Sequence, residues 1–232
     1  MFAVRKAADR GHRNHGWLDT WHSFSFGDYH NPAAMGFHTL RVINDDRIAP
    51  GGGFGMHGHR DMEIITYVLE GELEHQDSLG HGEVIRPGEV QRMTAGKGIR
   101  HSEFNPSATQ GVHLYQIWLQ PRETGLEPSY DQKQFPQTEQ AGRWRLLASP
   151  DGHDGSLTIQ QDARLWATTL AKGEAVTAEL APGRAAWLQV LRGDAQYAGE
   201  SLQAGDAVAF EKESQVVVQA GAGAELLLFD LP

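Results

Sequence analysis

The chain has 232 residues, with 30 Asp and Glu against 20 Lys and Arg, a formal net charge of −10 and no cysteine. Disulfides, thiolate catalysis and cysteine-ligated zinc are excluded by composition. There is no basic run of the kind a nucleic-acid groove needs, the acidic field disfavours anionic membrane surfaces, and no segment reaches 18 consecutive apolar residues.

The opening MFAVRKAADRGHRNHG lacks the apolar stretch of a secretory signal, so the cytosol is the expected compartment. Helical periodicity is hard to find along the chain. Short β-rich runs recur about every ten residues, bounded by Gly, Pro, Asn or Asp. They predict strands at 39–44, 63–70, 73–77, 90–94, 112–119, 165–170, 187–191, 216–220 and 226–231. Even spacing of this kind indicates an all-β sandwich or barrel. Two halves look alike. Tyr67-Val-Leu-Glu-Gly71 matches Gln189-Val-Leu-Arg-Gly193, and Pro87-Gly-Glu-Val90 matches Ala204-Gly-Asp-Ala207. Gln116–Pro121 matches Leu227–Pro232. The separations are 122, 117 and 111 residues, the drift expected of a duplicated domain with unequal loops. The expected organisation is a first β unit at 1–121, a linker at 122–140 rich in Pro and Gln, and a second β unit at 141–232.

Two pairs of chemistry-bearing residues stand forty residues apart. His57 and His59 straddle a glycine in GGGFGMHGHRDMEIITYVLEG, and His101 and Glu103 straddle Ser102 in GKGIRHSEFNP. On a strand, side chains two apart share a face, roughly 6–7 Å apart at the backbone. Facing strands inside a barrel would bring three imidazoles and one carboxylate to one divalent ion. An isolated H-x-H is weak evidence, because 12 histidines give about half of one such pair by chance. The second pair, and the placement of Gly51, Glu63 and Gly71 around the first and of Gly98 and Asn105 around the second, set this site apart from a chance pair. Strand parity admits either Glu63 or Glu103 as the carboxylate ligand. Matching the strand-end glycines sets Glu179, Ala181 and Ala185 against His57, His59 and Glu63. The later glycine match sets Val218 and Ala220 against His101 and Glu103, so a metal is expected only in the first half.

Other histidines suggest plainer roles. His12, His15 and His22 gather near the N-terminus, at a barrel mouth or as structural residues. His75 and His113 are expected to be buried and hydrogen-bonded. His30, His38, His81 and His153 are expected in loops or at the surface. The run Gly51–Gly55 lacks the helix and lysine of a phosphate-binding loop.

These motifs resemble the cupin superfamily pattern G-x5-H-x-H-x3/4-E-x6-G followed by G-x2-H-x3-N. Gly71 comes one residue late, and Gly96 stands where the second motif has proline. The stretches RGHRNHGWLDTWHSFSFGDYHNP, MHGHRDMEIITYVLEG, HQDSLG, GIRHSEFNP and HLYQIWLQP narrow the resemblance to the pirin family over residues 5–121. Within that family the chain is similar to the bacterial two-cupin quercetinases. The resemblance implies two tandem cupin barrels (double-stranded β-helices of jelly-roll type), the second degenerate. It implies a metal held by His57, His59, His101 and Glu103, which favours Glu103 over Glu63; Glu63 then holds a histidine in place. The implied ion is one divalent transition metal, iron(II) first, with nickel, copper, zinc or manganese also suited to the ligands. The implied reaction is cleavage of a planar flavonol such as quercetin by O2, with carbon monoxide and a depside released and Glu103 taking the substrate proton. Phe24, Phe26, Phe54 and Met56 are candidates for an apolar mouth. The rival reading is a metal-dependent regulatory module that binds a protein partner and cleaves quercetin only incidentally.

Overall fold

Alternation of buried and exposed side chains organises this chain. Leu18–His22 buries every second residue, as do the first six residues of Gln215–Leu231. The computed structural model describes residues 1–232. Its only α-helix is the single turn Gln137–Gln140, with 3-10 turns at Ala7–Asp9 and His153–Gly155. The chain divides into two compact units, one of residues 10–134 with 159–161, the other of residues 1–9, 135–158 and 162–232.

The first unit is built from two sheets. A four-stranded sheet runs in the order Gly53–His59, Ile99–Phe104, Leu73–Asp77, Gly82–Ile85. A seven-stranded sheet runs Ser129–Gln134, Glu89–Thr94, Glu63–Glu70, Val112–Leu119, Leu40–Ile48, Leu18–His22, Gly11–Asn14. Leu73 and Ile85 of the smaller sheet pack against Leu18, Ile48, Val68, Val112 and Leu114 of the larger, so the core lies between the sheets. This apolar cluster supplies the packing that fixes both sheets in place.

The second unit holds one sheet of nine strands, in which Gln215–Leu231 pairs with Ala185–Tyr197, Arg164–Ala171 and Ala175–Glu179. Its interior is apolar, with Leu170, Val176, Leu188, Val218 and Leu226 in one cluster.

Predicted strands 63–70, 73–77 and 112–119 match Glu63–Glu70, Leu73–Asp77 and Val112–Leu119. The internal repeat also holds. Tyr67 pairs with Val90 in the first unit, and Gln189 pairs with Ala207 at the matching place in the second.

Three expectations need correction. The predicted strands 216–220 and 226–231 form a single strand, Gln215–Leu231. A register shift between Asp194 and Ala195 skips Gly221 and Ala222, and the Ala222 N–H donates to Asp194 Oδ1 at 3.0 Å. The segment 122–140 is more than a linker, because Ser129–Gln134 pairs with Glu89–Thr94 while residues from Phe135 join the second unit. Residues 1–9 also belong to the second unit, where Phe2–Arg5 pairs with Ala207–Glu211. These edge strands escaped the sequence pattern because backbone ladders hold them, whereas SYDQKQ has little side-chain alternation.

Gly96 explains the missing proline of the second motif. Its φ is +45°, a conformation closed to proline, and a Cβ there would stand 1.9 Å from the Leu126 carbonyl oxygen. Its own carbonyl accepts the Asp61 N–H at 2.9 Å. Gly96→Ala is expected to destabilise the protein by more than about 2 kcal/mol, read as a lowered denaturation midpoint in urea.

Candidate metal centre

His57 and His59 lie on Gly53–His59, and the bare Gly58 between them lets both imidazoles turn to one face. Ile99–Phe104 pairs antiparallel with that strand, with His101 directly opposite His57. A register shift then sets Glu103 opposite Phe54, one residue further along than unbroken pairing would.

Three ring nitrogens converge. His101 Nε2 lies 2.9 Å from His59 Nε2 and 3.0 Å from His57 Nε2. His57 Nδ1 stands 2.9 Å from the Gly55 carbonyl, which only accepts, so that nitrogen carries the hydrogen and Nε2 keeps a lone pair. Burial, reinforced by the neighbouring imidazoles, pushes His59 and His101 down to about 3, so both rings are neutral at physiological pH. Nitrogens this close either share a hydrogen bond or present their lone pairs to one cation. Ligands at right angles, each about 2.1 Å from an ion, stand about 3.0 Å apart, against about 3.4 Å in a tetrahedron. The two spacings about His101 Nε2 match adjacent octahedral rather than tetrahedral corners.

Glu103 is 3% exposed, and both its oxygens accept from Gln116 Nε2, at 3.1 and 2.9 Å. Thr66 Oγ1 bonds Gln116 Oε1 at 3.0 Å and fixes the amide orientation. Burial raises the Glu103 pKa, against the lowering effect of the Gln116 hydrogen bond. Glu103 falls into a second group, with His75 and His101, whose ligand atoms all lie within 4.8 Å of one another. His57, His59 and His101 form the first such group. Glu63 stands apart. Its Oε2 accepts from Thr94 Oγ1 at 3.0 Å and from the Gln160 N–H at 3.1 Å, so it anchors a backbone segment where a histidine partner was expected.

Aromatic rings flank the histidines. Trp118 packs edge-on to His59 at 4.9 Å, Phe26 meets Trp118 at 5.2 Å, and Phe54 lies 6.2 Å from His57. Phe24 is core, and Met56, next to His57 in the strand, points outward and is 48% exposed. Sequence reasoning missed Trp118, although its strand parity with Gln116 was readable, and it missed that His75 adjoins the site. Elsewhere, His22 is buried against Asn44 at 2.8 Å and His113 pairs with Asp45 at 2.7 Å, both structural arrangements.

The second unit has no counterpart. Val176 stands opposite Val218 as His57 stands opposite His101. Register therefore matches Val176, rather than Glu179, to His57. Val176, Val218 and Ala220 are all packed in the apolar core.

Two β units, the first carrying a histidine cluster suited to a divalent ion, define a two-barrel metal-binding protein. Comparison with known proteins agrees. Residues 3–119 match the pirin family model, and residues 146–231 match the model described as the quercetinase C-terminal cupin domain. The chain belongs to the pirin family, and its fold is all-β with cupin domains in both halves. A protein of Escherichia coli K12 named quercetin 2,3-dioxygenase is 50% identical over 232 residues, covering 100% of this chain and 99% of that one. A pirin-like protein of Caulobacter vibrioides is 42% identical over 230 residues, covering 97% and 98%. The crystal structure of the Escherichia coli bacterial pirin YhhW in complex with nickel(II) superposes with a TM-score of 0.95 at 50% identity, covering 100% of this chain and 99% of that one.

Asp46 adds a titrating group inside the same unit. It is 4% exposed, and burial, with the charges of Asp45 and Glu103 adding, raises its carboxyl from 3.8 to about 7. Between those values the folded protein holds a proton that the unfolded chain has released, so stability falls as pH rises through that window. That difference sets a ceiling of about 4 kcal/mol. Asp46→Asn is expected to show a smaller drop in Tm from pH 5 to pH 8 than the parent, measured by thermal unfolding of both proteins across that range.

Proposed function

We propose that this protein is a metal-dependent dioxygenase that opens flavonols such as quercetin with O2 and releases carbon monoxide and a depside. The convergence of the His57, His59 and His101 Nε2 atoms beside the buried Glu103 carries this reading. The extent of similarity to the Escherichia coli dioxygenase supports it.

His57, His59, His101 and Glu103 would hold the ion. That donor set suits a divalent transition metal, with iron(II) as the metal expected from sequence and nickel(II) as the ion in the YhhW complex. Bound there, such an ion supplies Lewis acidity that lowers the pKa of a substrate hydroxyl and leaves sites open for that substrate. The protein's own groups do the rest. Glu103, buried and held through Gln116, is the carboxylate placed to accept the proton of the flavonol 3-hydroxyl. Gln116, held by Thr66, keeps both Glu103 oxygens in place as that charge changes. Trp118, Phe26 and Phe54 offer ring faces and edges to a planar substrate and keep water from it.

His57→Ala or His101→Ala is expected to abolish metal retention and quercetin-dependent oxygen uptake, measured by elemental analysis and an oxygen electrode. Full metal content in either variant would overturn the site. Glu103→Ala is expected to impair metal binding more than Glu63→Ala, because Glu63 is occupied with Thr94 and Gln160. The parent should hold about one ion per chain and release carbon monoxide from quercetin. Turnover far below ~1 s⁻¹ would favour a regulatory binding module instead.

A further inference from the structure

A line of buried groups stands behind His101. His75 is fully buried on Leu73–Asp77, opposite Glu103 in register. Its Nδ1 lies 3.4 Å from His101 Nδ1, and its Nε2 lies 3.2 Å from Asp77 Oδ2. Asp77 is itself held firmly. Its Oδ1 accepts the backbone N–H groups of Leu79 at 2.8 Å and His81 at 3.1 Å, and its Oδ2 faces His81 Nδ1 at 3.0 Å.

Donor and acceptor rules orient this line. A carboxylate only accepts, so the hydrogen between Asp77 and His75 sits on His75 Nε2. A neutral His75 then offers a lone pair at Nδ1. The hydrogen between the two rings must therefore belong to His101 Nδ1, which leaves a lone pair on His101 Nε2. That is the atom facing His57 and His59. Both His75 nitrogens are engaged in this line, which argues against His75 as a ligand.

We infer that Asp77 and His75 form a positioning relay that fixes the tautomer and ring angle of His101 for metal binding. The inference rests on the metal-centre reading above. A histidine ligand whose far nitrogen is hydrogen-bonded in this way binds its ion more tightly, and loss of such a partner typically weakens binding about 10–100-fold.

Asp77→Asn makes the sharpest test. The two backbone N–H groups require an oxygen at the Oδ1 position. The new amide nitrogen must then face His75 Nε2 as a donor, which reverses every hydrogen along the line and places one on His101 Nε2. His75→Leu removes the relay, while His75→Gln retains one acceptor and one donor. Ni²⁺ affinity by chelator competition is expected to fall about 10–100-fold for Asp77→Asn and His75→Leu, with His75→Gln nearer the parent. Long-range ¹H–¹⁵N spectra of the Zn²⁺-loaded parent should show His101 protonated at Nδ1. Should His75→Leu not fold, as judged by metal-free Tm, the near-isosteric Asp77→Asn decides alone. Parent-like Ni²⁺ affinity in Asp77→Asn overturns the relay and leaves the metal centre standing, whereas a His101 ring protonated at Nε2 removes the ligand atom and overturns both. A parent that takes up no Ni²⁺ overturns both.

Discussion

The pairing of two antiparallel strands, Gly53–His59 and Ile99–Phe104, governs the chemistry of this protein. Their register puts His101 across from His57, and a shift by one residue then carries Glu103 past Phe54. A slip of one position would turn every one of these side chains to the opposite face. The two strands are held by packing, with Phe54 against the cluster of Leu18, Ile48, Leu73 and Ile85, and Ile99 against Ile64 and Met93. The apolar cluster is thus as necessary to the centre as the histidines, since it sets the distances at which they meet.

The two units show how one fold tolerates opposite interiors. The second fills the places of His57 and His101 with Val176 and Val218, which belong to its apolar cluster. The first leaves polar groups inside: Asn44, Asp46, Thr66, Glu103 and Gln116 are all buried. Burying such groups costs stability unless partners are supplied. The Thr66–Gln116–Glu103 and Asp77–His75–His101 lines supply partners for several of them, and both end at the proposed ligands. The stability surrendered to these groups is the usual cost of a preorganised site. The second unit also buries polar groups, among them Gln189 and Asp206, but none at the places of the histidines.

Much of this was legible from residue order alone. Strand alternation, turn glycines and the paired H-x-H and H-x-E motifs marked an all-β chain with a repeat and a metal-like cluster, because these signals are local. The roles of Glu63 and Glu103 were ambiguous by parity, since both side chains satisfy the same period of two. Partners separate them: Glu63 meets Thr94 and Gln160, whereas Glu103 meets Gln116 near His101. Those contacts join residues far apart in the chain, and no local pattern encodes them.

Composition excluded thiolate chemistry, and spacing paired His57 with His59 and His101 with Glu103, because the period of a strand is written into adjacent residues. Folding had to place His75, Asp77 and Trp118 around them, assign residues 1–9 to the second unit, and merge two strands across Gly221 and Gly223. Each of these outcomes depends on which strands become neighbours, a choice made by the packed core as a whole.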